Sequence, residues 1–171
     1  KVVDNGDTGA DAEPGDWTLS ADGPTPITGA GNSAAVTSQT VNAGSYTLAE
    51  SDGPDGYDAS DWVCEGDSSS TATTVTVPNG GDVTCTITNT AQPVSLTLVK
   101  VVDNGNTGAT TEATAWTLTA VNGDSTVTGT TGTASVTTAD AVVGTYALSE
   151  DGPDGYDASD WVCTNASGST V

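Results

Sequence analysis

The sequence predicts an all-β protein made of two tandem β-sandwich domains, and three observations support this prediction. Short runs in which polar and apolar residues alternate recur along the chain, as is typical of strands buried on one face. The composition favours strands over helices, because the chain is rich in Thr, Ser, Val and Gly and contains no Phe or Met. A long sequence repeat divides the 171 residues into two similar parts. Many short strands at this spacing are typical of a β-sandwich.

Alternation with a period of two marks six predicted strands. They are 17–21, 45–50, 62–65, 73–77, 83–89 and 95–102. Asp-Gly-Pro, Asn-Ala-Gly and Pro-Asn-Gly-Gly segments separate them, and these residues adopt the backbone angles that turns require. No segment shows a convincing helical pattern.

The repeat sets the predicted domain organisation. KVVDNG at 1–6 returns at 100–105, and DGPDGYDASDWVC at 52–64 returns at 151–163. Repeats of this length are typical of tandem domains, because solenoid units are shorter. We therefore expect a first domain at 1–93 and a second at 94–171, which lacks counterparts of the last strands. The first copy in turn lacks the 95–99 run, so we expect a window cut from a longer array.

Charge and motifs exclude several classes of function. The chain carries two Lys, twenty-three Asp and Glu, and a net charge of -21, which argues against binding to nucleic acid or to anionic membranes. No apolar run is long enough to enter a membrane directly. An enzyme is not expected, since we find no nucleophile–base pair, metal cluster or phosphate-binding loop, and no cofactor is predicted.

The two lysines, Lys1 and Lys100, occupy the same position in the two copies. Residues two apart in a strand point the same way, so three polar residues each end an inward-pointing apolar row. The rows are Leu96, Leu98 and Lys100; Tyr46, Leu48 and Glu50; and Val83, Cys85, Ile87 and Asn89. Buried polar groups need partners, because an unpaired buried charge is costly.

An amine, a carboxylic acid and a carboxamide that meet in an apolar core can form an intramolecular amide. Burial disfavours both charged forms, and a neutral amine is a nucleophile. Lys1 would then attack the side-chain carbonyl of Asn89 and release ammonia, with Glu50 as the general acid and base. The alternative is a hydrogen-bonded ion pair with no covalent bond.

These residues resemble a known family. The sequence is similar to the Cna protein B-type domains at three places. These are Lys100 in LTLVK; the YTLAE strand, which ends at Glu50 and is followed by Pro54 and Gly56-Tyr57; and Asn89 in CTITN. The Cna protein B-type domains are also called SpaA-like pilin or prealbumin-like domains of Gram-positive surface proteins, and the WVC and TCTITN elements resemble the actinobacterial version.

The resemblance covers essentially the whole chain as two copies and implies an immunoglobulin-like, prealbumin-like β-sandwich for each. It implies that Lys1, Glu50 and Asn89 form the isopeptide trio of the first domain. Lys100 and Glu150 match in the second domain, whose Asn would fall beyond residue 171.

The three cysteines predict a disulfide. Cys64 and Cys85 lie in one repeat on inward faces, so we expect them to pair in an oxidising compartment. Cys163 is the counterpart of Cys64, and its partner would lie outside the chain. Zinc binding and a catalytic thiol are disfavoured, because the chain has no His.

Two acidic loops are candidate calcium sites, because calcium takes several oxygen ligands from such loops. The candidates are Asp52, Asp55, Asp58 and Asp61, with Asp151, Asp154, Asp157 and Asp160 in the second copy. Turn formation and solvation explain the same residues. Asn165-Ala166-Ser167 is a glycosylation sequon.

We interpret the chain as a stalk or fibre segment of an extracellular protein, at the cell surface or associated with the cell wall, or of a pilus. Its expected partners are neighbouring repeats or subunits of the same protein. The alternatives are an adhesin with an unknown ligand, a calcium-dependent binding module, or self-assembly by strand exchange between subunits.

Overall fold

The structure is a computed structural model that describes residues 1–66, 68–165, 167 and 169–170. It is all-β, with four short 3-10 turns and no longer helix among these residues. Ala166 of the sequon lies outside the described residues. The chain divides into two compact units, Lys1–Gln92 and Pro93–Val171. The predicted boundary after residue 93 and the predicted missing strands stay predictions.

The described residues of the first unit, 1–66 and 68–92, form ten strands. They are β1 (Val2–Asp4), β2 (Trp17–Asp22), β3 (Ile27–Ala30), β4 (Gly44–Asp52), β5 (Tyr57–Ala59), β6 (Val63–Gly66), β7 (Ser69–Ser70), β8 (Thr74–Val77), β9 (Val83–Thr86) and β10 (Thr88–Ala91). Turns of 3-10 helix at Pro14–Asp16 and Ala34–Val36 precede β2 and follow β3.

Three sheets form from these strands. The largest has the order β3-β2-β4-β8-β7, the second has the order β1-β10-β5, and β6 pairs with β9. β1 runs parallel to β10, whereas the other pairs are antiparallel. Alternate residues of β4 point inward, and Tyr46, Leu48 and Val75 form the centre of the core.

Five strands form in the part of the second unit that the structure describes. They are β11 (Val94–Leu96), β12 (Thr117–Asn122), β13 (Ser125–Gly129), β14 (Ala139–Ala141) and β15 (Ala147–Asp151), with 3-10 turns at Ala113–Ala115 and Ala134–Val136. One sheet has the order β13-β12-β15, and β11 pairs with β14. The core is formed by Leu98, Trp116, Leu118, Ala120, Val127 and Val136.

Two predicted strands are wrong in extent. The run 83–89 is two strands, because the chain pairs with β6 up to Thr86 and then changes partners to β1 and β5. The run 95–102 is a strand only at Val94–Leu96. In the first unit the residues after Lys1 form a strand because they pair with β10. In the described part of the second unit, no strand pairs with the residues after Lys100.

Candidate functional site

Three strands of the first unit bring Lys1, Glu50 and Asn89 together. Lys1 directly precedes β1, whose parallel pairing places Val3 opposite Asn89 in β10. Glu50 lies in β4, two residues beyond the buried Leu48, so its side chain continues the inward row. The site therefore joins two different sheets at the edge of the core.

The Glu50 carboxylate contacts both partners at once. The Lys1 Nζ donates a hydrogen bond to Glu50 Oε2 at 2.5 Å, and the Asn89 Nδ2 donates to Glu50 Oε1 at 2.8 Å. The Lys1 side chain is 0% exposed, the Glu50 side chain 11% and Asn89 3%. Asn89 Oδ1 is buried without a hydrogen-bond partner in the described part of the chain. Amine and amide therefore meet across one carboxylate, shielded from water.

Burial also shifts the proton affinity of the amine. It lowers the pKa of the Lys1 side chain below its ordinary value of 10.5, and the hydrogen bond and charge of Glu50 oppose this shift only in part. The neutral, nucleophilic form of the amine is therefore more accessible than in an exposed lysine.

An aromatic pair covers the lysine. The Lys1 Nζ lies 4.4 Å from the centre of the Trp17 ring, and Trp17 packs edge-on against Tyr57 with ring centres 5.3 Å apart. The Tyr57 hydroxyl donates a hydrogen bond to Asn5 Oδ1, and Asn5 Nδ2 donates to the carbonyl of Ala12 at 3.1 Å. Asn5, in the loop after β1, thus fixes the Tyr57 ring, and that ring holds Trp17 over the Lys1 amine.

Sequence reasoning missed the roles of Asn5, Trp17 and Tyr57. A signal was present, because all three recur 99 residues later as Asn104, Trp116 and Tyr156. The same contacts also recur. They are Lys100 Nζ at 5.0 Å from the Trp116 ring centre, Trp116 at 5.0 Å from Tyr156, and the Tyr156 hydroxyl at 2.7 Å from Asn104 Oδ1.

In the second unit the lysine forms an ion pair that is more exposed to solvent than the pair in the first unit. Lys100 Nζ donates to both oxygens of Glu150, at 2.7 and 2.8 Å. Their side chains are 16% and 21% exposed. No asparagine contacts this pair among the described residues, so the second unit shows the ion pair without the amide acceptor.

Cys64 and Cys85 are bonded as a disulfide across the β6–β9 pair, where they lie directly opposite each other. The predicted disulfide is therefore present. Cys163 is free and exposed.

The calcium candidates do not converge. All eight aspartates of the two acidic loops are exposed. Across the described ranges, no three or more acidic, Cys or His side chains group in a way that could hold a metal ion. The calcium interpretation therefore gains no support from the geometry of the described residues and stays a prediction.

A family model described as a prealbumin-like fold domain, of the SpaA type, matches residues 1–87 and again 91–171. No curated protein and no solved structure matches the chain significantly. Within the described residues, no helix has the length and apolar character needed to cross a membrane.

Proposed function

Because the chain belongs to the prealbumin-like, SpaA-type domain family, we propose that it is a stalk or fibre segment of an extracellular surface protein or pilus. The tandem of β-sandwich domains and the Cys64–Cys85 disulfide fit a structural role. The finer part of the proposal is that an amide between Lys1 and Asn89 locks the first unit.

The observation that carries this proposal is the double contact of Glu50. Its carboxylate holds the Lys1 amine and the Asn89 carboxamide at hydrogen-bond distance in a buried place. Fixed contact supplies the high effective concentration that exchange of an unactivated amide needs.

The reaction balances without a cofactor. Proton transfer from the Lys1 ammonium to Glu50 leaves a neutral amine and a protonated acid. The amine nitrogen forms a bond to Asn89 Cγ, while the acid polarises the carbonyl oxygen, which a rotation of the carboxamide brings to face it. The bonded lysine nitrogen gives up a second proton, which passes to Nδ2; the bond from Cγ to Nδ2 then breaks, and the leaving group departs as ammonia while Glu50 keeps the first proton. The reaction runs once, so it matures the protein and does not turn over.

The position of the amide suits a load-bearing segment. Lys1 and Asn89 stand near the two ends of the Lys1–Gln92 unit, on paired strands. A covalent bond between them would carry tension directly from β1 to β10, and the residues between would bear none. Kinetic resistance to unfolding, which is what a stalk needs, would follow from that path of force.

Pulling on the two ends of the single chain under reducing conditions tests the proposal. With the amide in place, the first unit adds no unfolding step, whereas Glu50→Ala restores a step of about 300 Å, from roughly 3.3–3.6 Å per residue. Glu150→Ala is the matched control and should leave the first unit inextensible. A first-unit step in the unaltered protein would contradict the proposed lock.

A further inference from the structure

In both units a tryptophan covers the lysine amine and is itself held by a tyrosine. In the first unit Trp17, which is 3% exposed, lies 4.4 Å from Lys1 Nζ, and Tyr57 packs against it with an angle of 80° between the rings. The second unit repeats these contacts at Lys100, where the chain before the lysine is folded as β11 and the buried Leu98. The arrangement therefore belongs to the repeat and does not depend on what precedes the lysine.

The loop after β4 closes on the same tryptophan. Gly53 has a φ of +91°, and a Cβ atom there would lie 2.2 Å from Trp17 Nε1. Gly152 stands equally close to Trp116, since a Cβ atom there would lie 2.3 Å from Cδ1. Only glycine leaves room for the ring at such a distance, so the loop backbone bounds the ring.

Hydrogen bonds within the loop after β1 fix Asn5. Its Nδ2 donates to the carbonyl of Ala12 at 3.1 Å, and its own carbonyl accepts from Thr8 Oγ1 at 2.8 Å. The amide of Gly6 donates to Asp4 Oδ1 at 3.0 Å. The second unit has the same three bonds at Asn104, Thr107 and Gly105. Asn5 Oδ1 is thus a fixed acceptor for the tyrosine hydroxyl.

The lysine needs this confinement more than its partners do. Its flexible four-carbon stem allows many positions of Nζ, and a single ion pair with Glu50 does not fix it. Amide formation requires the nitrogen to stay roughly 3–3.5 Å from the carbon that it attacks, and a displacement of about 1 Å can slow a reaction about a hundredfold. The Trp17 ring occupies the space on one side of the amine and so keeps the amine near Asn89.

We propose that Asn5, Gly53 and Tyr57 are positioning residues for the amide-forming reaction. They hold Trp17 against the Lys1 amine, and the ring confines the amine to the side where the carboxamide lies. The proposal rests on the cross-link proposed above. It adds that the rate of cross-linking depends on a hydrogen bond that none of the reacting atoms makes.

The rate of ammonia loss tests this proposal. The full chain is translated in vitro, held unfolded and unreacted in urea, and diluted under reducing conditions. Intact mass at successive times after folding gives the rate. Tyr57→Phe should slow the loss on the order of tenfold, because one hydrogen bond is removed. Gly53→Ala should slow it on the order of a hundredfold, because the added Cβ displaces the ring. The matched second-unit changes, Tyr156→Phe and Gly152→Ala, should leave the rate unchanged.

Tyr46→Phe separates positioning from stability. The Tyr46 hydroxyl donates to the carbonyl of Asn42 at 2.7 Å, so this change also removes a hydrogen bond from the first unit but leaves Trp17 in place. We expect a loss of stability with no change in the rate of ammonia loss. Equal slowing by Tyr46→Phe and Tyr57→Phe would overturn the proposal, as would an unchanged rate in Tyr57→Phe.

A spectroscopic readout needs no cross-link. In the Asn89→Ala background, the Trp17 ring current displaces the NMR shifts of the Lys1 Cε protons. Those shifts should move toward the values of an exposed lysine in Tyr57→Phe and stay in place in Tyr46→Phe. If the unaltered chain loses no ammonia, the cross-link fails and the positioning role fails with it. If it loses ammonia but Tyr57→Phe leaves the proton shifts in place, only the positioning role fails.

Discussion

Glu50→Gln should destabilise the first unit far more than the matched change Glu150→Gln destabilises the second. The substitution keeps the shape of the side chain but removes its charge and its capacity to shuttle protons. Lys1, whose side chain is 0% exposed, would keep a buried ammonium group without a counter-ion. Relative to the chain before cross-linking, removing one partner of a buried pair costs about 3–5 kcal/mol, and relative to the cross-linked chain the loss of the amide takes the place of that cost.

The size of the expected difference makes the comparison measurable. For a domain of this length a loss of 1 kcal/mol lowers the Tm by about 4–8 °C, so Glu50→Gln should lower the first-unit transition by on the order of 15 °C or more. Glu150 and Lys100 are less buried, at 21% and 16% exposure, so breaking their pair should cost less than breaking the Lys1–Glu50 pair. Calorimetry, with amide exchange to assign each transition, measures both. Equal losses of stability in the two units would show that the Lys1–Glu50 site is no more important to its unit than the Lys100–Glu150 pair is to the other.

Three further predictions concern the first unit. Cys85→Ala should lower the free energy of unfolding in urea by about 3 kcal/mol, because the disulfide closes a 21-residue separation; an unchanged urea midpoint would contradict this. Tyr57→Phe, which removes the hydrogen bond to Asn5, should cost about 1 kcal/mol by the same assay. The Asn89→Ala variant cannot form the amide, so its Lys1 amine stays free to titrate. Because burial lowers the pKa of this amine in the folded chain, the unfolded chain binds the Lys1 proton more tightly than the folded chain. The free energy of unfolding should therefore rise with pH between that lowered pKa and 10.5, and a fall across this window would argue against a buried amine.

The alternation of polar and apolar residues predicted the strands that bury one face and expose the other, but it did not predict which strands pair with each other. The run 45–50 lies within β4, because Tyr46 and Leu48 alternate with exposed residues. The run 83–89 is interrupted at Ile87, where the chain leaves β6 and joins β1 and β5. Partner choice depends on contacts distant in sequence, and a period of two carries no information about it.

The candidate site was predictable in part for a physical reason. Lys1, Glu50 and Asn89 are conspicuous because charged and amide side chains rarely end inward apolar rows. Asn5 and Trp17 have ordinary local explanations, as a turn residue and a core residue, so their contacts with Tyr57 and Lys1 emerge only in three dimensions.

Intact mass spectrometry of the reduced chain shows directly whether the amide between Lys1 and Asn89 forms. The protein should be lighter than its sequence by one ammonia molecule, and digestion should release a Lys1–Asn89 cross-linked peptide. The deficit should vanish in Asn89→Ala and Glu50→Ala and persist in Glu150→Ala. A full sequence mass for the folded, unaltered protein would rule out the amide and leave Lys1, Glu50 and Asn89 as a buried hydrogen-bonded group.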